Sequence, residues 1–289
     1  MRVAIVTDSN SGIGQAEAAR LGIFVLPMPL LVDGQIRFEG KDITADELYA
    51  AQEAGRAVST SQPSPGDVMD LWDTVLEQYD ELVYIPMSSG LSASCQTAMG
   101  LAEGYDGRVQ VADLRRISVT QQIAVLDGVE LAKLGRTAAE IREELERVSM
   151  DAMIFIGVET LTYLRRGGRV TPAAAAMANL LNIKPLLKIH GERLDAFAKV
   201  RGVKACKQRA VEATREQVEE FRRKGWNFVV GTAHTYRTRE EAEEWQHTLE
   251  ENFPGIPAFH GELALSIGCH TGPGAFGMGV VRRVDIPGK

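Results

Sequence analysis

Short apolar runs alternate with capped amphipathic segments through the first half of the chain, and this alternation constrains the fold most. Strand-like runs at Val3–Val6 and Leu82–Ile85 are separated by segments that carry helix start signals. The clearest signals are the capping boxes that begin at Thr44 and Thr137. Because strands that alternate with helices form right-handed βαβ units, the pattern predicts a parallel sheet over residues 1–150.

The second half mixes hairpin and helix signals. The runs Leu186–Ile189 and Leu194–Val200 flank a turn at 190–193 and are predicted to pair as a β-hairpin. A long amphipathic helix is expected next. Its buried face is predicted from four residues, Val211, Thr214, Val218 and Phe221. We predict a two-domain α/β protein, in which residues 1–150 form a parallel-sheet domain and 151–289 a domain with a mixed sheet.

The charge balance and the cysteines exclude several classes of protein. The 289 residues carry 32 Lys and Arg against 39 Asp and Glu, a net charge of −7, which argues against a nucleic-acid partner. The three cysteines form no CxxC pair, which indicates free thiols in a reducing compartment. The apolar run before Thr7 is too short for a signal peptide, and no stretch approaches the ~20 apolar residues that span a bilayer. We predict a cytoplasmic protein with no transmembrane segment, which leaves transient membrane contact open.

The usual cofactor motifs are incomplete or missing. Gly12-Ile13-Gly14 resembles part of a dinucleotide fingerprint, but Glu17 replaces the third glycine and would repel phosphates. An ordinary strand-to-helix turn is the favoured interpretation. The sequence contains no P-loop, HExxH or GxSxG motif, and no second histidine adjoins His270. We therefore predict neither a cofactor nor a metal site.

Two hydroxyl-rich segments each follow a predicted strand. Thr60 and Ser61 lead into a helix start at Ser64, and the segment Ser88–Ser92 follows the next strand. Hydroxyls and free backbone N–H groups at helix N-termini bind anions, and the carboxyl ends of parallel strands meet at one crevice. Ordinary N-capping by Ser64 and Ser92 explains the same residues equally well.

A third candidate lies near the end of the chain. His270 and Thr271 precede Gly272-Pro273-Gly274, which predicts a rigid, exposed turn. A histidine there can pair with an anion or titrate near neutral pH, although a lone histidine is more often structural. A catalytic pair, with Ser92 as the nucleophile and His270 as its base, is a further hypothesis that stays open. The sequence shows no clear third residue to orient the imidazole.

The segment Arg165–Val170 is predicted to be a loop after a buried strand. Its Arg169 is suited to bidentate contact with a carboxylate or phosphate, although a solvated surface loop explains the charge as well. Thr171 and Pro172 then open the apolar segment Ala173–Leu181. That segment is predicted to be a helix in the core or in the wall of a lipid tunnel.

Taken in order, these motifs resemble those of the DegV family of bacterial lipid-binding proteins over nearly the whole chain. The matching blocks are Thr7-Asp8-Ser9, Thr60–Gly66 (TSQPSPG), Ser88–Ser92 (SSGLS), Leu164–Val170 with its GGR, Leu181–Leu186 (LNIKPL) and His270–Gly274 (HTGPG). Several ordered blocks at compatible spacing are more specific than any one of them. The chain departs from the family at Ala93-Ser94-Cys95, where the family usually has Gly-Thr-Tyr. This departure affects the expected shape of the pocket and hence its selectivity for the acyl chain.

The resemblance implies a protein that holds one long-chain fatty acid between its domains. The implied ligand-binding residues are Thr60, Ser61, Ser92, His270 and Thr271. Arg169 is implied to support phosphoryl transfer. The implied partner is a separate ATP-binding fatty acid kinase subunit, to which the acid is presented for acyl phosphate formation in phospholipid synthesis. The chain is then not a complete enzyme by itself.

Two other functions stay open at the level of the sequence. A stand-alone enzyme would use Ser92 and His270 for acyl transfer or hydrolysis. A lipid-sensing regulator would bind the acid without any phosphoryl chemistry.

Overall fold

The computed structural model describes residues 2–179, 183–191 and 193–286. Within these ranges the strands are β1 (Val3–Asp8), β2 (Phe24–Leu26), β3 (Pro29–Val32), β4 (Gln35–Phe38), β5 (Val58–Thr60), β6 (Glu81–Ile85), β7 (Val109–Val111), β8 (Ala152–Gly157), β9 (Ile183–Ile189), β10 (Asp195–Arg201), β11 (Phe228–His234), β12 (Ala258–Glu262) and β13 (Phe276–Arg282). The α-helices are α1 (Gln15–Leu21), α2 (Ala45–Glu53), α3 (Pro65–Leu76), α4 (Ser94–Ala102), α5 (Val119–Lys133), α6 (Ala138–Arg147), α7 (Thr162–Gly167), α8 (Pro172–Ala175), α9 (Val203–Arg223), α10 (Arg239–Asn252) and α11 (Leu265–Thr271).

The first sheet contains four parallel strands in the order β2-β1-β6-β7. Because successive side chains of a strand point to opposite faces, each strand contributes to two cores. On β1, Ile5 packs in the core that includes α5 and α6. Its neighbours Ala4 and Val6 pack in the core that includes α3 and α4. The sheet with helices on both faces confirms the predicted parallel α/β layer.

A small antiparallel sheet, in the order β4-β3-β5, follows β2 along the chain. It packs against α2 and α11 through residues such as Leu30, Tyr49 and Leu265. The approach of α2 to α11 is close, since a Cβ at Gly268 would lie 2.5 Å from the Tyr49 hydroxyl. Strand β5 ends at Thr60, so this sheet holds one hydroxyl-rich segment next to the end of α11.

The second large sheet has six strands in the order β10-β9-β8-β13-β11-β12. All neighbouring pairs are antiparallel except β11 with β12, which confirms the predicted mixed sheet. Helices α9 and α10 cover one face. The four residues predicted for the buried side of the long helix, Val211, Thr214, Val218 and Phe221, are buried in α9. The predicted hairpin is β9 with β10, although Glu192 of its turn lies outside the described residues.

The segment after β13 returns to the first sheet. Arg283 forms an ion pair with Asp127 of α5, whose side chain is fully buried, and the Val284 backbone N–H donates to the same carboxylate at 3.0 Å. Val284 itself is buried in the core of α5 and α6. The two large sheets lie on either side of residue 150, and the domain boundary there stays a prediction.

Several local predictions were wrong. The expected loop Arg165–Val170 is partly helical, because α7 extends to Gly167 and is capped by Gly168 in the left-handed conformation, φ 68°. His270 and Thr271 do not lie in an exposed turn but end helix α11, and Thr271 is buried.

Helix boundaries also differ from the prediction in two places. Helix α4, expected from Ser92, begins at Ser94. The apolar segment Ala173–Leu181 contains the short helix α8 and a 3-10 turn at Ala176–Asn179, and Leu181 lies outside the described residues. Among the helices that the structure describes, none is both long and apolar enough to cross a membrane.

Candidate functional site

A cavity of about 900 Å³, its open mouth included, lies between the carboxyl ends of β1 and β6 and the face of the six-stranded sheet opposite α9 and α10. Both halves contribute apolar side chains to its wall, among them Met28, Met87, Ile117, Ile154, Ile156 and Leu164. The shape and lining suit a molecule with a large apolar part.

Small residues on one face of the six-stranded sheet leave space for this cavity. Ile154 and Ile156 of β8 face the cavity, whereas Phe155 between them packs against the helices of the other face. Strand pairing places Gly277 next to Ile156 and Ala233 next to Gly277, so small residues lie on the same face. Ala233 and Gly277 therefore form a shallow floor beneath the cavity.

The structure brings all six sequence-predicted site residues to this one cavity. They are Thr60, Ser61, Ser92, Arg169, His270 and Thr271. They come from the end of β5, the loop before α4, the segment after α7 and the end of α11. The roles assigned to them stay predictions.

The central contact at the mouth joins Thr60 and His270. The Thr60 Oγ1 and His270 Nε2 atoms are 2.8 Å apart. Burial and, to a smaller degree, the charge of Arg169 lower the pKa of His270 to about 4. The imidazole is therefore neutral near pH 7. When the Thr60 hydroxyl donates its one proton to a ligand, it can accept from Nε2–H of this neutral ring, so His270 orients Thr60.

A glycine lets helix α7 approach this imidazole. A Cβ at Gly167 would lie 2.2 Å from Nδ1 of His270. A side chain at this position therefore cannot be added without displacing the ring. The glycine of the GGR block thus has a packing role in fixing the His270 ring.

Arg169 supplies positive charge at the mouth. Its Nε donates to the Leu91 carbonyl at 3.3 Å, and its Nη1 donates to the Gly167 carbonyl. Within the described ranges no carboxylate forms an ion pair with Arg169. These two carbonyl contacts hold the guanidinium in place without neutralising its charge, so the mouth attracts an anion.

The remaining predicted residues differ in their availability. The Ser92 Oγ accepts from the Ser94 N–H at 3.2 Å, so its own proton is free to donate to a ligand. Ser61 is exposed at the rim. The Thr271 hydroxyl donates to the Ile267 carbonyl at 3.3 Å within α11, so its proton is already used.

The contacts do not assemble the Ser92–His270 pair that nucleophilic catalysis would need. Nε2 of His270 is engaged by Thr60, and the only hydrogen bond recorded for the Ser92 hydroxyl within the described ranges is with the Ser94 N–H. An activated serine requires its base within hydrogen-bond distance. The geometry therefore favours a binding site over a hydrolytic one.

The opening block Thr7-Asp8-Ser9 has a structural role. The buried Asp8 carboxylate accepts from the Met87 N–H at 2.7 Å and from the side chains of Asn10 and Gln121. Burial raises its pKa, although these donors oppose the shift. This network fixes the ends of β1 and β6 beside the cavity.

Three polar residues of the cavity wall were not predicted from the sequence. Asn10, Ser118 and Ser266 line the interior and are each at least nine-tenths buried. The position of Asn10, two residues past Asp8 at the end of a strand, was the one available signal. Ser118 directly precedes helix α5 and Ser266 lies within helix α11. Neither helix was predicted, so nothing in the sequence indicated these two serines.

Fold and site together define a two-domain α/β protein built around a deep apolar cavity with a polar, positively charged mouth. The chain belongs to the DegV family, whose family model, described as uncharacterised proteins, matches residues 2–283. It is 33% identical over 279 residues to a DegV domain-containing protein of Deinococcus radiodurans, with 96% of this chain and 98% of that protein covered.

Solved structures show the same fold. A fatty-acid-binding DegV family protein from Thermus thermophilus is 31% identical, with a TM-score of 0.87 over 98% of this chain and all of that one. DegV from Bacillus subtilis, a fatty acid binding protein, is 26% identical, with a TM-score of 0.83 over 98% of this chain and 99% of that one. The predicted family and α/β architecture are confirmed.

Proposed function

We propose that this protein binds a long-chain fatty acid by its carboxylate in the cytoplasm and presents it to a separate ATP-dependent kinase subunit. The observation that carries the proposal is the apolar cavity that opens onto Thr60, Ser92 and Arg169. The fatty acids bound by the relatives from Thermus thermophilus and Bacillus subtilis support it. The three cysteines, all buried as free thiols, suit a reducing compartment.

The energetics suit this ligand. Burying about 14 methylenes at about 0.8 kcal/mol each contributes about 11 kcal/mol before the costs of ordering the chain. The head group then needs only a few donors to fix its position. The hydroxyls of Thr60 and Ser92 donate to a carboxylate without the desolvation cost of a buried ammonium group.

A second pocket of about 530 Å³, its open mouth included, supports the presentation of the acid to a phosphoryl donor. It shares Thr60, Arg169 and His270 with the acyl cavity and is also lined by Arg56 and Arg166. Arg56 pairs with Asp33, whereas Arg166 is exposed and has no ion-pair partner in the described part of the chain. Cationic side chains around a carboxylate stabilise the charge that develops during phosphoryl transfer.

The first experiment is denaturing extraction and mass spectrometry of the recombinant protein. We expect a stoichiometric free fatty acid in the wild type and its loss in a folded Thr60→Val/Ser92→Ala variant. Ser59→Ala is the matched control, because Ser59 precedes Thr60 on β5 and does not line the acyl cavity. A wild type that is empty and takes up no added fatty acid contradicts the proposal.

The kinase step has a separate test. Arg169→Ala is expected to retain a bound acid but to slow acyl phosphate formation with a fatty acid kinase subunit. Arg209→Ala is the control, since this arginine lies on α9 on the far side of the sheet. Full acyl phosphate formation by Arg169→Ala would remove the phosphoryl-transfer role of Arg169 and leave the binding function intact.

A further inference from the structure

Three polar residues meet inside the acyl cavity, away from its mouth. The Ser266 Oγ donates to the Asn10 Oδ1 at 2.7 Å, and the Ser118 N–H donates to the Asn10 carbonyl at 3.0 Å. Asn10 therefore joins the other two residues. All three line the cavity, with exposed fractions of 1% for Asn10, 8% for Ser118 and 5% for Ser266.

Their place relative to the mouth follows from helix geometry. Ser266 and His270 are four residues apart on α11, so they share one face of the helix. One helical turn separates them by about 6 Å along the axis. The polar group at Asn10 thus adjoins the part of a bound acyl chain that follows its carboxylate by a few carbons.

Ser118 is the residue whose side chain is left unpartnered. Its hydroxyl forms no hydrogen bond with any described residue, and it does not cap helix α5, which begins at the next position. The unpartnered atoms of Gln52 and Trp72 are completely enclosed by protein. The Ser118 oxygen differs from them, because it is accessible from the cavity. A ligand that fills the cavity displaces water from this hydroxyl, and a hydroxyl that loses water without gaining another partner is unfavourable.

The backbone at Ser118 is also unusual. Its φ of 55° with ψ of −137° lies in a region that residues other than glycine rarely adopt. The conformation places the hydroxyl at the wall of the cavity. Ser266 contacts the same Asn10, and its oxygen can still accept a hydrogen bond. Ser118 and Ser266 therefore offer the ligand both a donor and an acceptor at the cavity wall.

We infer that this cavity is built for a fatty acid that carries a hydroxyl group on its chain, bound at Ser118 and Ser266. The inference rests on the proposed function and names the substrate class of that same site. A plain chain places methylenes against the Ser118 hydroxyl and leaves it unpaired. A hydroxylated chain satisfies that hydroxyl and has its own hydroxyl satisfied in return.

The test compares palmitic acid with hydroxypalmitic acids that carry the hydroxyl near the carboxyl end, at mid-chain or at the terminal carbon. Delipidated wild-type protein is expected to bind one of the first two isomers about tenfold more tightly than the terminal isomer. Ser118→Ala is expected to lose that preference and to bind palmitic acid more tightly than the wild type does, because it leaves no unpaired hydroxyl against the chain. Ser118→Gly, which also lacks the hydroxyl but relieves the backbone, is expected to behave as Ser118→Ala does.

Each other outcome is decisive. Equal affinity of the wild type for all the hydroxy isomers, or a preference that survives in both Ser118 variants, overturns the inference and indicates that water occupies the polar group. An equal loss of palmitic and hydroxypalmitic acid in both variants assigns Ser118 a structural role and also overturns it. If wild-type protein binds neither class of acid, the proposed function itself fails.

Discussion

The two faces of the six-stranded sheet are built from neighbouring residues but serve different purposes. On the face covered by α9 and α10, β13 presents Phe276 and Met278, which pack with Trp245. On the opposite face, the intervening Gly277 of β13 pairs with Ile156 and lies beneath the cavity. Large side chains fill the face that the helices cover, whereas small residues leave space on the cavity face.

This difference shows how a sheet can separate stability from binding. A strand alternates its side chains between faces, so each face can be specified independently in sequence. The face of the sheet that is covered by α9 and α10, called the helical face below, is close-packed. It is expected to determine the free energy of unfolding. The cavity face is expected to determine ligand affinity with less effect on stability.

The largest expected effect concerns the helical face. Trp245→Ala removes a fully buried indole that packs on Phe276 and donates to the Gly277 carbonyl at 3.0 Å, so we expect a loss of about 3–5 kcal/mol in the free energy of unfolding. Urea denaturation measures it. Ile156→Ala on the cavity face is the control and is expected to lose less stability, because its side chain borders open space. A larger loss for Ile156→Ala contradicts the division between the faces.

The next effect concerns affinity. Ala233→Leu projects three more carbon atoms into the cavity and is expected to weaken palmitic acid binding by about 2 kcal/mol, at about 0.8 kcal/mol per displaced methylene. Titration with acids of increasing length is expected to show a shift of the optimum toward shorter chains. Ala198→Leu is the control, since Ala198 lies on β10 on the helical side. An unchanged length optimum would show that Ala233 does not limit the cavity.

Two glycines on adjacent strands sharpen the comparison. A Cβ at Gly157 would lie 2.4 Å from the Phe276 ring, whereas a Cβ at Gly277 meets nothing nearer than 3.6 Å. We expect Gly157→Ala to lose about 1–3 kcal/mol of stability. Gly277→Ala is expected to stay within about 0.5 kcal/mol of the wild type. Equal unfolding midpoints for the two variants would contradict the packing difference.

The last effect concerns the rim, where burial lowers the pKa of His270 to about 4 from an ordinary value of 6.5. As the pH falls through this interval, the unfolded state binds the proton first, so folding stability decreases. We expect His270→Gln to lose less stability than the wild type on acidification from about pH 7 to about pH 5. Urea unfolding of delipidated protein at both pH values measures the difference. Parallel pH dependence in the two proteins would show that His270 is not shielded as the structure indicates.

Local signals in the sequence predicted much of the fold. The capping boxes at Thr44 and Thr137 are present, and the predicted hairpin and long helix form β9, β10 and α9. Helix α5 was missed because it is buried on nearly all sides and therefore lacks the polar stripe that marks an amphipathic helix. Helix α11 was missed because its seven residues are short and the glycines that follow indicated a turn.

The candidate site was likewise predictable only as far as local sequence motifs allowed. Thr60, Ser92, Arg169 and His270 were recognised from motifs, and the structure gathers them at one mouth. Their partners follow only from tertiary packing. The contact of His270 with Thr60 joins residues 210 positions apart, which no local pattern specifies. The floor formed by small residues of β11 and β13 likewise depends on strand register.

The return of the chain after β13 has a consequence for biosynthesis. Asp127 is enclosed in the core of the first half, and its partner Arg283 is made more than half the chain later. During vectorial synthesis the parallel sheet therefore emerges with a buried acid that still lacks its ion-pair partner Arg283 and with a gap where Val284 belongs. The early half cannot reach its final state on the ribosome by itself, and its completion waits for the segment that follows the last strand.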